Sequence, residues 1–249
     1  MLKSGIPAAD RYIAEHYLSV LGMSSSFAAT ISAATMRIQS EHGISGHLAE
    51  IGTFEGRYFI ALAHVLKDDE RAIGIDTFVW PDEGLKARLE ANIAKYGSPD
   101  RSIVVKGDSA NMSAKELLAL APGKKIRFFH IDGEHKPEPL TKDLALAEQM
   151  IDAQGVICLD DMLHPGYPTL AVTVDAFLRR HSDLRVFCVI DREDIVGAAK
   201  FMICREASFD FYIEMLIAAF PDRIWPMGAE FGAYKALVLG LDTRLAKIG

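Results

Sequence analysis

The stretch that decides the fold is Glu50-Ile51-Gly52-Thr53-Phe54-Glu55-Gly56, which joins a predicted strand over 47–51 to a predicted helix from about residue 57. Two glycines bracket a tight loop, where the missing side chain lets backbone approach a ligand and the helix N-terminus offers free N–H groups. The spacing differs from Gly-x-Gly-x-x-Gly, so a loop that passes under a smaller ligand is favoured over a pyrophosphate cradle. Packing of the strand against the helix is the alternative explanation.

Strand-like and helix-like segments alternate on both sides of this stretch, from residue 47 to residue 204. Such alternation is typical of βαβ units on a mostly parallel sheet with helices on both faces. The apolar runs Ile126–Ile131 and Val156–Leu159 suit central strands that are covered on both sides. We therefore predict a doubly wound, Rossmann-like α/β fold.

The chain divides into a core and two flanking parts. Residues 1–46 are predicted to form a helical cap, with helices over 9–22 and 25–42. Residues 47–205 form the core, and residues 206–249 break the alternation and are interpreted as a C-terminal elaboration of the same domain. The apolar N-terminal helices could form a homo-oligomer interface, with packing on the core as the alternative.

Composition excludes several classes of protein. The 249 residues carry a formal net charge of −7, which disfavours non-specific binding to nucleic acid or to an anionic membrane. No apolar run approaches the roughly 18–20 residues of a membrane span, and no signal peptide is recognised. The three cysteines, Cys158, Cys188 and Cys204, follow no metal or disulfide pattern and suit buried thiols. We predict a soluble cytoplasmic protein.

Two acidic positions follow the second and third predicted strands. Asp76 closes a strand some 20–25 residues after the glycine loop, where a carboxylate in nucleotide-binding α/β folds accepts hydrogen bonds from ribose hydroxyls. Asp108 and Ser109 follow the next strand, where an adenine would lie. A helix cap or turn is the alternative role for Asp76 and Asp108.

A third acidic group follows the fourth and fifth predicted strands. Asp132 ends one strand, and Asp160 and Asp161 end the next. Ends of adjacent parallel strands are close enough for these carboxylates to converge on one ion, and three oxygen ligands favour Mg²⁺, with Mn²⁺ or Ca²⁺ as alternatives. His135, in the loop above, is a candidate general base. Capping of a loop by the carboxylates and a solvated histidine are the alternatives.

At this point the sequence from Gly46 to about Phe177 resembles class I S-adenosylmethionine-dependent methyltransferases. It is most similar to the metal-dependent small-molecule O-methyltransferases that include the macrolide-sugar methyltransferases. The residues that carry the resemblance are Glu50-Ile51-Gly52, Asp76, Gly107-Asp108-Ser109, His130-Ile131-Asp132-Gly133-Glu134-His135 and Asp160-Asp161. The substituted loop Thr53-Phe54-Glu55 departs from the family pattern and leaves the contacts to the methionine part of the cofactor open.

The resemblance implies a seven-stranded sheet whose last strand is antiparallel, and metal-assisted methyl transfer to a hydroxyl of a sugar or of a polyhydroxylated or phenolic metabolite. The predicted cofactor-binding residues are Glu50, Gly52, Thr53, Gly56, Asp76, Asp108, Ser109 and Asp132. The metal would be held by Asp132, Asp160 and Asp161, with His135 and Asp132 as the catalytic residues. His164 and Tyr167, after the carboxylate pair, are candidates for contact with the acceptor. The alternative functions are a non-catalytic S-adenosylmethionine-binding domain and an NAD-dependent oxidoreductase.

Overall fold

A twisted sheet of nine strands runs through the computed structural model, which describes residues 2–241. The strands are β1 (His47–Ile51), β2 (Ala72–Asp76), β3 (Ser102–Lys106), β4 (Ile126–Ile131), β5 (Ile151–Met162), β6 (Leu184–Ile190), β7 (Ala199–Arg205), β8 (Ala229–Glu230) and β9 (Lys235–Leu239). Their order is β3-β2-β1-β4-β5-β7-β6-β9-β8, and β7 runs antiparallel to both of its neighbours. The predicted α/β class and the antiparallel seventh strand are confirmed.

The number of strands differs from the seven that the resemblance implies. Strand β9 adds to the edge of β6 in parallel, pairing Cys188 with Leu237, and β8 forms a short antiparallel pair with β9. The reason is the apolar run of β9, in which Ala236, Leu237 and Leu239 are buried. The C-terminal part therefore extends the sheet and covers the edge of β6, which would otherwise present unpaired backbone groups. Residues 242–249 of the predicted elaboration lie outside the described part of the chain.

Eight helices cover the two faces of the sheet in residues 2–241. They are α1 (Pro7–Glu15), α2 (Ser26–Glu41), α3 (Arg57–Ala63), α4 (Leu85–Tyr96), α5 (Ala114–Leu120), α6 (Pro137–Met150), α7 (Thr169–Leu178) and α8 (Phe209–Ala219). Helices α1–α4 and α8 contribute to the apolar core on one face, and α5–α7 contribute to the core on the other. None of these helices combines the length and apolar character needed to cross a bilayer.

The two predicted N-terminal helices have different outcomes. Helix α2 matches the prediction over 25–42, and the Ser25 hydroxyl caps it by accepting from the backbone N–H of Ala28 at 3.1 Å. Helix α1 is shorter than predicted and ends at Glu15. The chain then folds back, because the Tyr17 hydroxyl donates to the backbone carbonyls of Ser24 and Ser25 at 3.1 Å each.

A buried ion pair connects α2 to the sheet near the start of β4. Arg127 on β4 and Glu70 are both inaccessible to solvent, and their side chains meet at 2.8 Å. The guanidinium also donates to the backbone carbonyl of Met36 at 2.7 Å and to the side-chain oxygen of Gln39 at 3.2 Å. Glu70 in turn accepts from the backbone N–H of Gly46 at 2.8 Å. Every charge in this group is therefore compensated by a partner.

Substitution of Arg127 by Met is expected to lower the free energy of unfolding by about 3–5 kcal/mol, because Glu70 is left buried without a counter-charge. The matched control is Lys86→Met, which removes a surface ion pair with Glu90 at 3.4 Å and should cost less than about 1 kcal/mol. Urea unfolding of both variants measures the difference, and equal losses would contradict the role given to Arg127.

Candidate active site

The carboxyl ends of β1, β2, β4 and β5 meet at one edge of the sheet, as the sequence predicts. Register places Glu50 beside His130, and His130 beside Cys158, so the residues that follow these strands emerge next to one another. The non-glycine residues with a left-handed backbone in residues 2–241 are Phe54, Phe78, Asp161 and Leu163, and all four lie at this edge. Backbone strain of this kind persists where the surrounding structure enforces it, which is common at functional sites.

Gly52 lies where the loop after β1 crosses the end of β4. Its φ is +81°, and a methyl group at this position would come within 1.8 Å of the carbonyl oxygen of Asp132. The loop therefore contacts the backbone of Asp132 directly. Gly56 starts α3 with φ +89°, and a methyl group there would meet Leu89 at 2.5 Å, so packing also requires this second glycine.

Glu50 on β1 and Thr53 in the loop that follows are both buried. Glu50 Oε2 and Thr53 Oγ1 have no hydrogen-bond partner, and neither has His130 Nδ1, which is 3.3 Å from Glu50 Oε2. Burial and the Asp132 carboxylate raise the pKa of Glu50 well above its usual value. Burial and the Lys200 ammonium lower the pKa of His130 well below its usual value. These three buried polar atoms therefore have unused hydrogen-bonding capacity, and they lie at the carboxyl ends of β1 and β4.

The Asp76 carboxylate accepts hydrogen bonds from the backbone of two loops. Its Oδ2 accepts from the backbone N–H of Phe54 at 3.0 Å, and its Oδ1 accepts from that of Phe78 at 2.8 Å. A carboxylate has about four acceptor positions, so room remains for hydroxyl donors. The exposed ring of Trp80 lies beside this carboxylate's loops, 5.5 Å from the ring of Phe54.

Asp108 and Ser109 form a turn at the end of β3. Asp108 is exposed, and its two oxygens accept from the backbone N–H of Ala110 at 2.9 Å and from the Asn111 side chain at 2.8 Å. Asp108 therefore has the turn-capping role given above as its alternative. Ser109 lies toward Asp143 on α6, a buried carboxyl group that the sequence analysis missed. Burial raises the pKa of Asp143 to about 6, and its Oδ1 has no partner.

Asp132, His135 and Asp161 form the acidic cluster, in which one ligand atom from each residue lies within 4.8 Å of the others. The Nε2 atom of His135 is 2.6 Å from Asp161 Oδ2 and 3.7 Å from Asp132 Oδ1, but neither contact is aligned as a hydrogen bond. The carboxylates of Asp132 and Asp161 raise the pKa of His135 to about 10. Burial and the Asp160 carboxylate raise the pKa of Asp132 to about 6. An arrangement of two carboxylates and one imidazole can hold a divalent cation.

Asp160 is not one of the three residues of this cluster. Its Oδ2 is paired with the ammonium of Lys200 and accepts from the Ser24 hydroxyl at 2.9 Å. Burial alone would raise the pKa of Asp160, but Lys200 lowers it below its usual value. Of the three carboxylates expected around one ion, the structure brings Asp132 and Asp161 together and places Asp160 with Lys200.

Residues with no sequence motif complete the site. Lys200 is fully buried, and it is a charged residue inside the mostly apolar strand β7, which is the signal that could have found it. Ser24 in the N-terminal part carries no such signal. Tyr167 stacks on His135 with ring centres 4.3 Å apart, and on His164 at 4.8 Å, so both proposed acceptor-loop residues lie beside the acidic cluster.

Comparison with known proteins gives a family match over the strands that build this site. Residues 49–162 match the family model described as a methyltransferase domain. No curated protein matches the sequence. The matched segment runs from β1 to the end of β5, and so includes the glycine loop, Asp76 and all three acidic cluster residues.

Several solved structures share the fold. The apo structure of CalS11, a TDP-rhamnose 3'-O-methyltransferase of calicheamicin biosynthesis, is 21% identical, covers 72% of this chain and 78% of its own, and has a TM-score of 0.52. The O-methyltransferase NovP is 14% identical, with 73% and 80% covered and a TM-score of 0.58. An O-methyltransferase from Bacillus cereus in complex with SAH is 16% identical, with 70% and 80% covered and a TM-score of 0.53. At these identities the likeness establishes the fold.

Substitution of Gly52 by Ala is expected to destabilise the protein more than substitution of Gly43 by Ala. Both residues have a left-handed backbone, with φ +81° and +78°, so both variants carry a backbone cost of about 1–2 kcal/mol. Only the methyl group at position 52 also collides with backbone, whereas position 43 faces open space, and overpacking adds about 1–3 kcal/mol. Thermal and urea unfolding compare the two, and equal losses would refute the close approach to Asp132.

The pKa of His135 predicts a pH dependence for the metal-free protein. Because folding raises this pKa from 6.5 to about 10, the protonated imidazole stabilises the folded state fully below pH 6.5, and this contribution is lost as the pH rises toward 10. Unfolding free energies of the wild type and of His135→Gln in EDTA, measured from pH 6 to pH 10, should differ most at the acid end. A difference that is independent of pH would contradict the contact with the two carboxylates.

Proposed function

We propose that this methyltransferase, a protein built on the methyltransferase domain of residues 49–162, transfers the methyl group of S-adenosylmethionine to a hydroxyl of a small molecule with the help of a divalent cation. The observation that carries the proposal is the contact of Gly52 with the backbone of Asp132. It joins the loop expected to bind the cofactor to the cluster expected to bind the cation. A methyl donor and a metal-bound hydroxyl could therefore meet there.

The unpartnered polar atoms of the rim fit the cofactor. S-Adenosylmethionine carries an ammonium group and a sulfonium centre, and Glu50 Oε2 and Thr53 Oγ1 are buried acceptors without a donor. Asp76 retains acceptor positions for ribose hydroxyls after it has fixed Phe54 and Phe78. Ser109 and Asp143 lie near the expected adenine position, whereas Asp108 is engaged in its own turn.

The acidic cluster fits a divalent cation. Asp132 and Asp161 supply carboxylate oxygens to the cation, and the Nε2 atom of His135 lies beside them without a hydrogen-bond partner, free to act as a base. Mg²⁺ suits these oxygens, and Mn²⁺ or Ca²⁺ are the alternatives. Such a cation supplies Lewis acidity that lowers the pKa of an acceptor hydroxyl.

His135 is the group placed to take a proton from the acceptor. Positive charge held by Asp132 and Asp161 disfavours the protonated imidazole, which opposes the effect that the bare carboxylates have on its pKa. Tyr167 stacks on the His135 ring and fixes its plane. Asp132 is the second candidate, since its carboxylate lies beside the cation that would hold the acceptor hydroxyl.

The acceptor is proposed to be a sugar or a polyhydroxylated or phenolic metabolite. Oxygen is favoured because a carboxylate-bound cation activates a hydroxyl, and solved structures with this fold include proteins named as O-methyltransferases. The stacked rings of His135, Tyr167 and His164 offer a flat wall on which an aromatic ring or a sugar face can lie.

Calorimetric titration tests this function. The wild type should bind S-adenosylhomocysteine and should not bind NAD, and Asp161→Asn should retain S-adenosylhomocysteine binding while it loses Mg²⁺ binding. Methyl transfer from labelled S-adenosylmethionine to catechols and glycosides should stop in EDTA and resume with Mg²⁺. No binding of S-adenosylhomocysteine would overturn the proposal, and binding without transfer to any acceptor would favour the non-catalytic alternative.

A further inference from the structure

A fully buried lysine is paired with Asp160, the residue next to Asp161 of the acidic cluster. Lys200 on β7 is inaccessible to solvent, and its ammonium is paired with Asp160 Oδ2. The ammonium also donates to the Ser24 hydroxyl at 3.1 Å and lies 3.4 Å from Nε2 of His130. It sits over the ring of Tyr58, with Nζ 4.7 Å from the ring centre. Lysine is almost never fully buried unless it is paired, so Asp160 is a required partner.

Both oxygens of Asp160 take part in this network. Oδ2 is held by Lys200 and Ser24, and Oδ1 accepts the backbone N–H of Asp161 at 2.8 Å. That backbone bond belongs to a residue in the left-handed region, with φ +57° at Asp161. A non-glycine residue there is strained and keeps this conformation only where its surroundings hold it. Asp160 is one such constraint.

The conformation of Asp161 decides where its carboxylate points. In the left-handed backbone that Asp160 stabilises, Asp161 Oδ2 lies 2.6 Å from His135 Nε2, inside the cluster with Asp132. A continuous path therefore leads from the Lys200 ammonium through the Asp160 carboxylate and the Asp161 N–H to the Asp161 carboxylate.

We infer that Lys200 is a positioning residue for the cation site: it anchors Asp160, which orients Asp161 instead of binding the cation itself. This inference rests on the proposed metal role of Asp132 and Asp161. It changes the ligand set expected from the sequence, because the neighbouring residues Asp160 and Asp161 then have different tasks. The pair is also an unusual choice for stability alone, since apolar residues of similar volume often serve as well as a buried ion pair.

The test uses a variant that removes the pair without leaving an unpaired charge, Lys200→Met with Asp160→Leu. We expect its affinity for Mn²⁺ to fall about 10- to 100-fold, as is typical when residues that orient metal ligands are lost, with the Kd for S-adenosylhomocysteine changed less than about threefold. The matched control is Arg127→Met with Glu70→Leu, which removes the buried ion pair at the opposite end of the strands. Its Mn²⁺ affinity should stay at the wild-type value.

Three results would overturn the inference: unchanged Mn²⁺ affinity in the Lys200 double variant, an equal loss in the control, or a Mn²⁺ ion bound directly by Asp160 in crystals of the wild type. Should the double variant fail to fold, Ser24→Ala removes a neutral member of the same network and should weaken Mn²⁺ binding about two- to tenfold. Unchanged binding in Ser24→Ala, in that case, also counts against the inference.

The metal role and the positioning role can fail separately. If the wild type binds no Mn²⁺, the proposed metal role fails, and crystal structures of the metal-free proteins then decide the inference. Asp161 should keep φ near +57° in the wild type and leave the left-handed region in the double variant. An unmoved Asp161 would show that Lys200 and Asp160 do not position it.

Discussion

Carboxylates at the ends of neighbouring parallel strands repel one another, and this repulsion must be offset for the site to form. Each carboxyl group has a different compensation. Glu50 is favoured in its protonated form by burial, Asp76 accepts two backbone N–H groups, and Asp160 is paired with Lys200. Asp132 and Asp161 share the proximity of His135, which leaves this pair as the least compensated charge at the rim.

This distribution of charge explains how one edge of a sheet could serve two different ligands. The compensated carboxylates shape loops and fix backbone, while Glu50 Oε2, Thr53 Oγ1 and His135 Nε2 have no hydrogen-bond partner. Both of the proposed ligands, a divalent cation and a sulfonium cofactor with an ammonium group, would bring positive charge to this edge of the sheet. The strained backbone at Phe54, Phe78 and Asp161 is maintained by the same bonds that hold the carboxylates.

The sequence predicts the part of this arrangement that follows from strand order. Alternating segments, with the acidic residues Glu50, Asp76, Asp132 and Asp160 at the ends of four strands, suffice to predict a parallel sheet with acidic residues along one edge, because parallel strands all end at the same edge. They do not predict which way each side chain turns. Asp160 and Asp161 are adjacent and look equivalent in sequence, but the left-handed backbone at Asp161 and the distant Lys200 separate them. The partner of Asp160 is 40 residues away on an antiparallel strand, a contact that no local pattern encodes, and the two added strands likewise depend on long-range pairing.

Crystals grown with S-adenosylhomocysteine and Mn²⁺, and measured at a wavelength where manganese scatters anomalously, provide the most direct test of the central claim. The account predicts the ribose of the ligand beside Asp76 and one anomalous peak in contact with the carboxylates of Asp132 and Asp161. Ligand bound at the rim without such a peak would contradict the metal-assisted reaction. A rim that takes up neither ligand would contradict the account as a whole.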